Sequence, residues 1–146
     1  MSCAGAADTV QGTPRRFRGN PKRLNDKQDV AQVRRIYKIC SASAWHEAER
    51  QGVYRGSADD ARDGFIHFSA SSQVAETARK HFAGQTGLLL VAVDADALGT
   101  ALRWERSRND ELFPHLYGEL DLGAVTGIYD MRARSDGTHD IPELIP

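Results

Sequence analysis

Apolar and β-branched residues dominate from Val33 to Cys40, and the pattern predicts a first strand there. Ser43 stands where an N-cap would open a helix through Trp45, Ala48 and Glu49, with Gly52 as its stop. Gly56–Gly64 reads as a polar loop and Phe65–Ser69 as a short strand. Ser72 is the expected N-cap of a second helix, with Val74, Ala75, Ala78 and Phe82 on one stripe and Gly84 just past its end. Leu88–Val93 is continuously apolar between Gly87 and Asp94, the pattern of a strand buried on both faces. Leu102–Glu105, His115–Leu120 and Val125–Met131 add strands to the second half. Helices that come early and strands that come late predict an α+β fold, not a βαβ repeat.

Composition narrows the class without naming a function. At 146 residues and 40% hydrophobic content the chain can bury a core without a metal or disulfide staple. Two cysteines, Cys3 and Cys40, cannot build a disulfide framework, and no HExxH or CxxC spacing occurs, so no metal is expected. The longest apolar run is too short to span a bilayer and no signal-peptide core follows Met1, which leads to the expectation of a cytoplasmic protein without membrane contact. The formal charge of -1 conceals an asymmetry. Residues 1–29 hold six basic and three acidic groups, a net of +3, and the remaining thirteen basic and seventeen acidic groups give -4. That leader is poor in large apolar residues and is expected to be disordered, with residues 30–133 as the folded domain and 134–146 as a polar tail. The acidic balance of the folded part counts against nucleic acid as a partner.

Two stretches carry candidate chemistry. In Asp63–Ser69 a strand period places Phe65, His67 and Ser69 on one face and the apolar Ile66 and Phe68 on the other. An N-capping serine beside a hydrogen-bonded histidine would account for the same pattern without function. In Phe113–Glu119 the same period aligns His115, Tyr117 and Glu119 opposite Leu116 and Leu120, as a solvent-facing strand would also do. Glu105 reads either as a site carboxylate or as half of a surface pair. Tyr37 and Lys38 alternate on the first strand, so one of them can face a site. Trp45 is expected in the core, and His46, His81 and His139 at the surface.

Taken in order, Ile36-Tyr37-Lys38-Ile39, Trp45, Gly52-Val53-Tyr54, Gly64-Phe65-Ile66-His67-Phe68-Ser69, Gln73, Trp104-Glu105 and Phe113-Pro114-His115-Leu116-Tyr117-Gly118 resemble the bacterial family of unknown function DUF952, over roughly residues 34 to 130. The resemblance implies a fold similar to ADP-ribosyltransferases, in which two small packed β-sheets with flanking helices enclose an NAD-binding cleft. It implies Lys38 where many relatives show histidine, His67 and Ser69 on the second strand, and Glu105, in preference to Glu119, as the late acid beside an oxocarbenium-like transition state. His67 and Glu105 are then the expected catalytic residues, and Lys38, Ser69, His115 and Tyr117 the expected ligand-binding ones. The implied ligand is a small nucleotide, NAD as substrate, in an ADP-ribosyl transfer. The competing reading is a binding module without chemistry for a small phosphorylated or anionic ligand, which the primary amine of Lys38 would suit.

Overall fold

The computed structural model describes residues 23–146. Strands β1 (Arg35–Ser41), β5 (Leu88–Asp94), β9 (Val125–Met131) and the short β4 (Ser69–Ala70) form a four-stranded antiparallel sheet in the order β4-β1-β5-β9. A three-stranded sheet runs β3 (Ile66–His67), β7 (Leu112–Leu116), β6 (Leu102–Arg106), and β2 (Val53–Tyr54) pairs with β8 (Leu120–Asp121). Among the described residues four α-helices accompany them: α1 (Lys27–Val30), α2 (Ala42–Gln51), α3 (Ala58–Asp63) and α4 (Val74–His81). The fold is α+β with several small antiparallel sheets and few helices, and among the described residues no helix is long and apolar enough to cross a membrane.

The four-stranded sheet divides the core because successive side chains leave a strand on opposite faces. Ile36 and Cys40 of β1, with Leu89, Val91 and Val93 of β5, pack against Trp45 and Ala48 of α2 and against Ile66, Leu116 and Leu120 of the smaller sheets. Tyr37 and Ile39, with Leu88, Leu90 and Ala92, pack on the other face against Val74 and Ala78 of α4. The continuously apolar β5 is therefore central and covered on both sides, as its sequence predicts. Trp45 is buried, also as expected.

Several boundaries differ from the sequence pattern. Helix α2 begins directly at the end of β1, and its N-cap is Ser41 rather than Ser43: Ser41 Oγ accepts from the Ala44 N–H at 3.1 Å. Gly52 closes that helix in the left-handed conformation, which glycine adopts without a Cβ penalty. The polar stretch Gly56–Gly64 contains α3, which opens on a reciprocal capping box between Ser57 and Asp60 and has no apolar stripe to betray it. Phe65–Ser69 is two strands, not one. The chain switches sheets at Phe68, so His67 pairs with β7 while Ser69 pairs with β1. Ser72 caps no helix; it lies in a tight turn, Ser71–Gln73, ahead of α4. The expected strand His115–Leu120 lies earlier, at Leu112–Leu116, and the chain leaves it before Gly118, whose φ of 150° suits a glycine.

Both expected tails enter the fold where they are described. Leu24 is buried and its carbonyl accepts from the Leu112 N–H, so the ordered part begins before residue 30; residues 1–22 of the expected leader lie outside the described residues. At the other end Ile141 and Leu144 pack on the α4 side of the core, and the Tyr37 hydroxyl donates to the Ile145 carbonyl at 2.8 Å. His139, expected at the surface, is buried and bonds through Nε2 to the Gln85 carbonyl. The apolar residues of this segment are too few to reveal themselves, but two suffice when the sheet offers them a face. Truncation after Asp140 removes both and unpartners the Tyr37 hydroxyl, and is expected to cost about 2 kcal/mol, read as a lower midpoint in chemical denaturation. An unchanged midpoint would show that the segment contributes nothing.

Candidate functional site

The three-stranded sheet has two unlike faces. Ile66, Leu116, Leu102 and Trp104 point into the core, while Phe65, His67, Phe113, His115, Arg103 and Glu105 share the other face by alternation. Cross-strand register brings His67 directly opposite His115, with ring centroids 5.5 Å apart. Phe65 stacks on His115 at 4.1 Å. This face opens onto a cleft of about 590 Å³ whose wall includes Lys38, Tyr54, Asp60, His67, Ser69 and His115, within the usual size range of small-molecule sites.

Asp60 is the most heavily hydrogen-bonded carboxylate of the cleft wall. It is 2% exposed, and Lys38 Nζ donates to its two oxygens at 2.8 and 3.1 Å. His67 meets the same carboxylate through its backbone N–H at 3.1 Å and its ring Nδ1 at 2.6 Å, and the Ser57 N–H adds a bond at 2.9 Å. Burial by itself would raise the Asp60 pKa; the bond from His67, the charge and hydrogen bonds of Lys38 and the Ser57 N–H outweigh it and hold the carboxyl well below the usual range. The other ring nitrogen of His67 faces Asp63 at 2.9 Å, so carboxylates fix the ring at both ends. Gly56 makes this packing possible: its φ is 100°, and a Cβ there would lie 2.8 Å from that of Asp60.

Glu105, His115 and Tyr117 form a second group. His115 Nδ1 and the Tyr117 hydroxyl both reach Glu105 Oε1 at 2.8 Å, and Arg103 lies over the Tyr117 ring. Burial lowers the His115 pKa, against the opposing pull of Glu105, while the His115 bond, with that of Tyr117, lowers the Glu105 pKa despite partial desolvation. At neutral pH the pair is therefore a neutral imidazole held by an anionic carboxylate. With Nδ1 directed at Glu105, Nε2 has no hydrogen-bond partner among the described residues. A histidine oriented in this way can take or give a proton at Nε2.

Four of the six expected site residues line one cleft, and the other two adjoin it through His115. His67, Lys38, Ser69 and His115 line the cleft, whereas Glu105 and Tyr117 stand behind His115 and are not part of its wall. Lys38 faces the site and Tyr37 the opposite core cluster. The Lys38 charge is already matched by Asp60. Glu119 is exposed and pairs with Arg55, apart from His115. Sequence reasoning missed Asp60, Asp63 and Arg108; the Ser57-x-x-Asp60 spacing was the available signal for the first, and none marked Arg108. Two cleft residues carry buried polar atoms without a hydrogen-bond partner among the described residues, the Tyr54 hydroxyl and Arg108 Nε. Burial also pushes the Cys40 thiol, another wall residue, up to about 11, so it is a thiol and not a thiolate at neutral pH. Among the described residues no group of three or more His, Cys, Asp or Glu is arranged to hold a metal ion.

Residues 39–128 match the family described as protein of unknown function DUF952. The chain belongs to this family. The crystal structure of protein CC0527 from Caulobacter crescentus is similar to this DUF952 protein, with 48% identity, a TM-score of 0.71, and coverage of 73% of this chain and 93% of that one. The solution structure of CC0527 gives 49% identity, a TM-score of 0.65, and coverage of 71% and 90%. No curated protein matches the chain.

Asp60→Asn in this DUF952 domain leaves Lys38 buried without a counter-charge and is expected to cost about 3–5 kcal/mol, whereas Lys38→Met combined with Asp60→Asn recovers part of the loss. Because the folded-state pKa of Asp60 is depressed, its stabilisation is present above the unfolded value of about 4 and is lost as pH falls toward the folded one. Denaturation midpoints measured from pH 7 to pH 2 should therefore fall more steeply in the native protein than in the double variant. Parallel curves would sink this assignment.

Proposed function

We propose that the cleft binds a nucleotide of the NAD or ADP-ribose class and that the fold around it is of the ADP-ribosyltransferase kind. The supporting observation is the meeting of His67 and His115, from separate strands, on a wall that also holds Lys38, Ser69 and the unpartnered Tyr54 hydroxyl. Buried polar atoms without partners lose about 1–3 kcal/mol each, and a polar ligand satisfies them. The Phe113 ring on the cleft wall, with Phe65 stacked on His115, suits a ring-bearing ligand.

In the transfer reading, the nicotinamide–ribose C–N bond breaks and nicotinamide leaves with the bonding electron pair. The oxygen or nitrogen of an acceptor then bonds to the anomeric carbon and gives its proton to His115 Nε2. The low pKa that burial imposes on His115 keeps it available as that base at neutral pH. Glu105 holds the ring in position and stabilises the imidazolium that forms. Lys38 and Asp60 act as positioning residues for His67.

A second reading, a binding module without turnover, draws on a specific observation: Glu105 stands behind His115 and does not line the cleft, so it is not placed beside a developing positive charge. Calorimetric titration of NAD and ADP-ribose into the wild type and His115→Ala, together with an assay of nicotinamide release, separates the possibilities. Binding that weakens about tenfold or more in the variant, with release abolished, is the expected result of transfer. Binding without release selects the module. No binding of either ligand at millimolar concentration would overturn the nucleotide reading.

A further inference from the structure

Arg108 projects from the turn between β6 and β7 onto the same cleft, in the company of Ser69, Thr77 and Phe113. Its guanidinium lies over the Phe113 ring, 4.8 Å from the centroid, and Nη2 donates to Thr77 Oγ1 at 3.0 Å. Of the five N–H donors a guanidinium carries, that is the one with a hydrogen-bond acceptor among the described residues. No carboxylate among them pairs with Arg108. The nearby acids are engaged elsewhere: Glu111 accepts from Leu24 and Gln73, and Asp110 faces Arg106. A half-buried guanidinium without a counter-ion is costly unless an anion completes it.

The hydroxyls beside it point the same way. Thr77 Oγ1 accepts from Arg108 and lies 3.1 Å from Ser69 Oγ. One hydroxyl proton serves that contact, and the other remains free to donate. A planar fork plus a free hydroxyl is the donor set that a phosphate oxygen cluster accepts. Lys38, the cation that the sequence suggests for an anion, is neutralised by Asp60, whereas Arg108 is not.

We propose that Arg108, Thr77 and Ser69 form the phosphate-binding subsite of the cleft and that its ligand is a phosphorylated ribose. This deepens the nucleotide reading above and rests on it for the sugar, though not for the phosphate. Spacing supports the sugar. Phe113, which carries the guanidinium, and His115 are alternate residues on one face of β7, about 7 Å apart along the strand. A ribose and its bridging oxygen fill that interval, which sets the anomeric carbon beside His115 and His67 when the phosphate lies on Arg108.

Titration of three probes into wild type, Arg108→Gln and Thr77→Val tests this: ADP-ribose, inorganic pyrophosphate and nicotinamide riboside, which has no phosphate. Arg108→Gln is expected to weaken ADP-ribose and pyrophosphate about tenfold or more and to leave nicotinamide riboside within about twofold. Thr77→Val gives a smaller loss with the same selectivity, and it carries the test if thermal melting shows Arg108→Gln to be unfolded. Affinity for ADP-ribose that neither variant changes, while His115→Ala abolishes it, overturns the subsite and leaves the nucleotide cleft standing. Arg108-dependent pyrophosphate binding without any gain from the nucleoside part supports the phosphate site but overturns the ribose, and the nucleotide reading with it. Failure of pyrophosphate to bind the wild type at millimolar concentration overturns the subsite.

Discussion

A carboxylate sealed inside a protein has to be surrounded by donors, and Asp60 recruits its donors from three parts of the fold. Lys38 comes from the four-stranded sheet, His67 from the edge of the three-stranded sheet, and the Ser57 N–H from the start of α3. Each of these elements is short or lies at a sheet edge except β1, and the two-residue β3 has little pairing of its own. The buried ion pair thus joins the large sheet to the small one at the place where the cleft opens. Buried pairs of this kind add little net stability against an apolar substitute, but they penalise any packing that separates the partners. Their effect here is on position: His67 has its backbone and its ring tied to one carboxylate.

The small sheet carries two tasks on two faces. Leu102, Trp104, Ile66 and Leu116 supply core, and the alternate positions supply Phe65, His67, Phe113, His115 and Glu105. Because the site face is anchored through its own back to the core, its side chains need few further supports. His115 has one hydrogen-bonded support, Glu105, beside the Phe65 ring stacked on it. Burial lowers its pKa, and Nε2 has no hydrogen-bond partner among the described residues. On the same cleft wall Arg108 retains its charge without a counter-ion among the described residues. A histidine with one unpartnered nitrogen and a cation without a counter-ion thus stand on one wall, and the proposed nucleotide and phosphate sites rest on that arrangement.

How much of this could be read in advance follows from the range of the interactions. Period-two alternation correctly put His67 opposite Ile66 and Lys38 away from Tyr37, since strand alternation is local. The two signatures around His67 and His115 identified the family, and the apolar run of β5 identified the central strand. Alternation failed where a strand broke. Ser69 shares the cleft with His67 from a different sheet, and Glu119 lies past the end of β7 and pairs with Arg55 instead of joining His115. Helix α3 was hidden because its polar residues form no stripe, and with it went Asp60. The segment after Ala133 was hidden for a related reason, since Ile141 and Leu144 have meaning only against the sheet face that receives them.

The order of apolar runs and punctuating glycines and serines is enough to specify an α+β chain with a buried central strand, and two short motifs are enough to place it in a family. Local periodicity carries that information because it depends on neighbours a few residues apart. Which charges cancel and which stay available is a different matter. Lys38 and Asp60 are 22 residues apart, Glu105 and His115 ten, and Arg108 and Thr77 thirty-one. Only the folding of three sheets onto one another matched the first pair, propped His115 on Glu105, and left Arg108 unmatched. Electrostatic pairing is set by distance in space, and that distance comes into being with the tertiary structure.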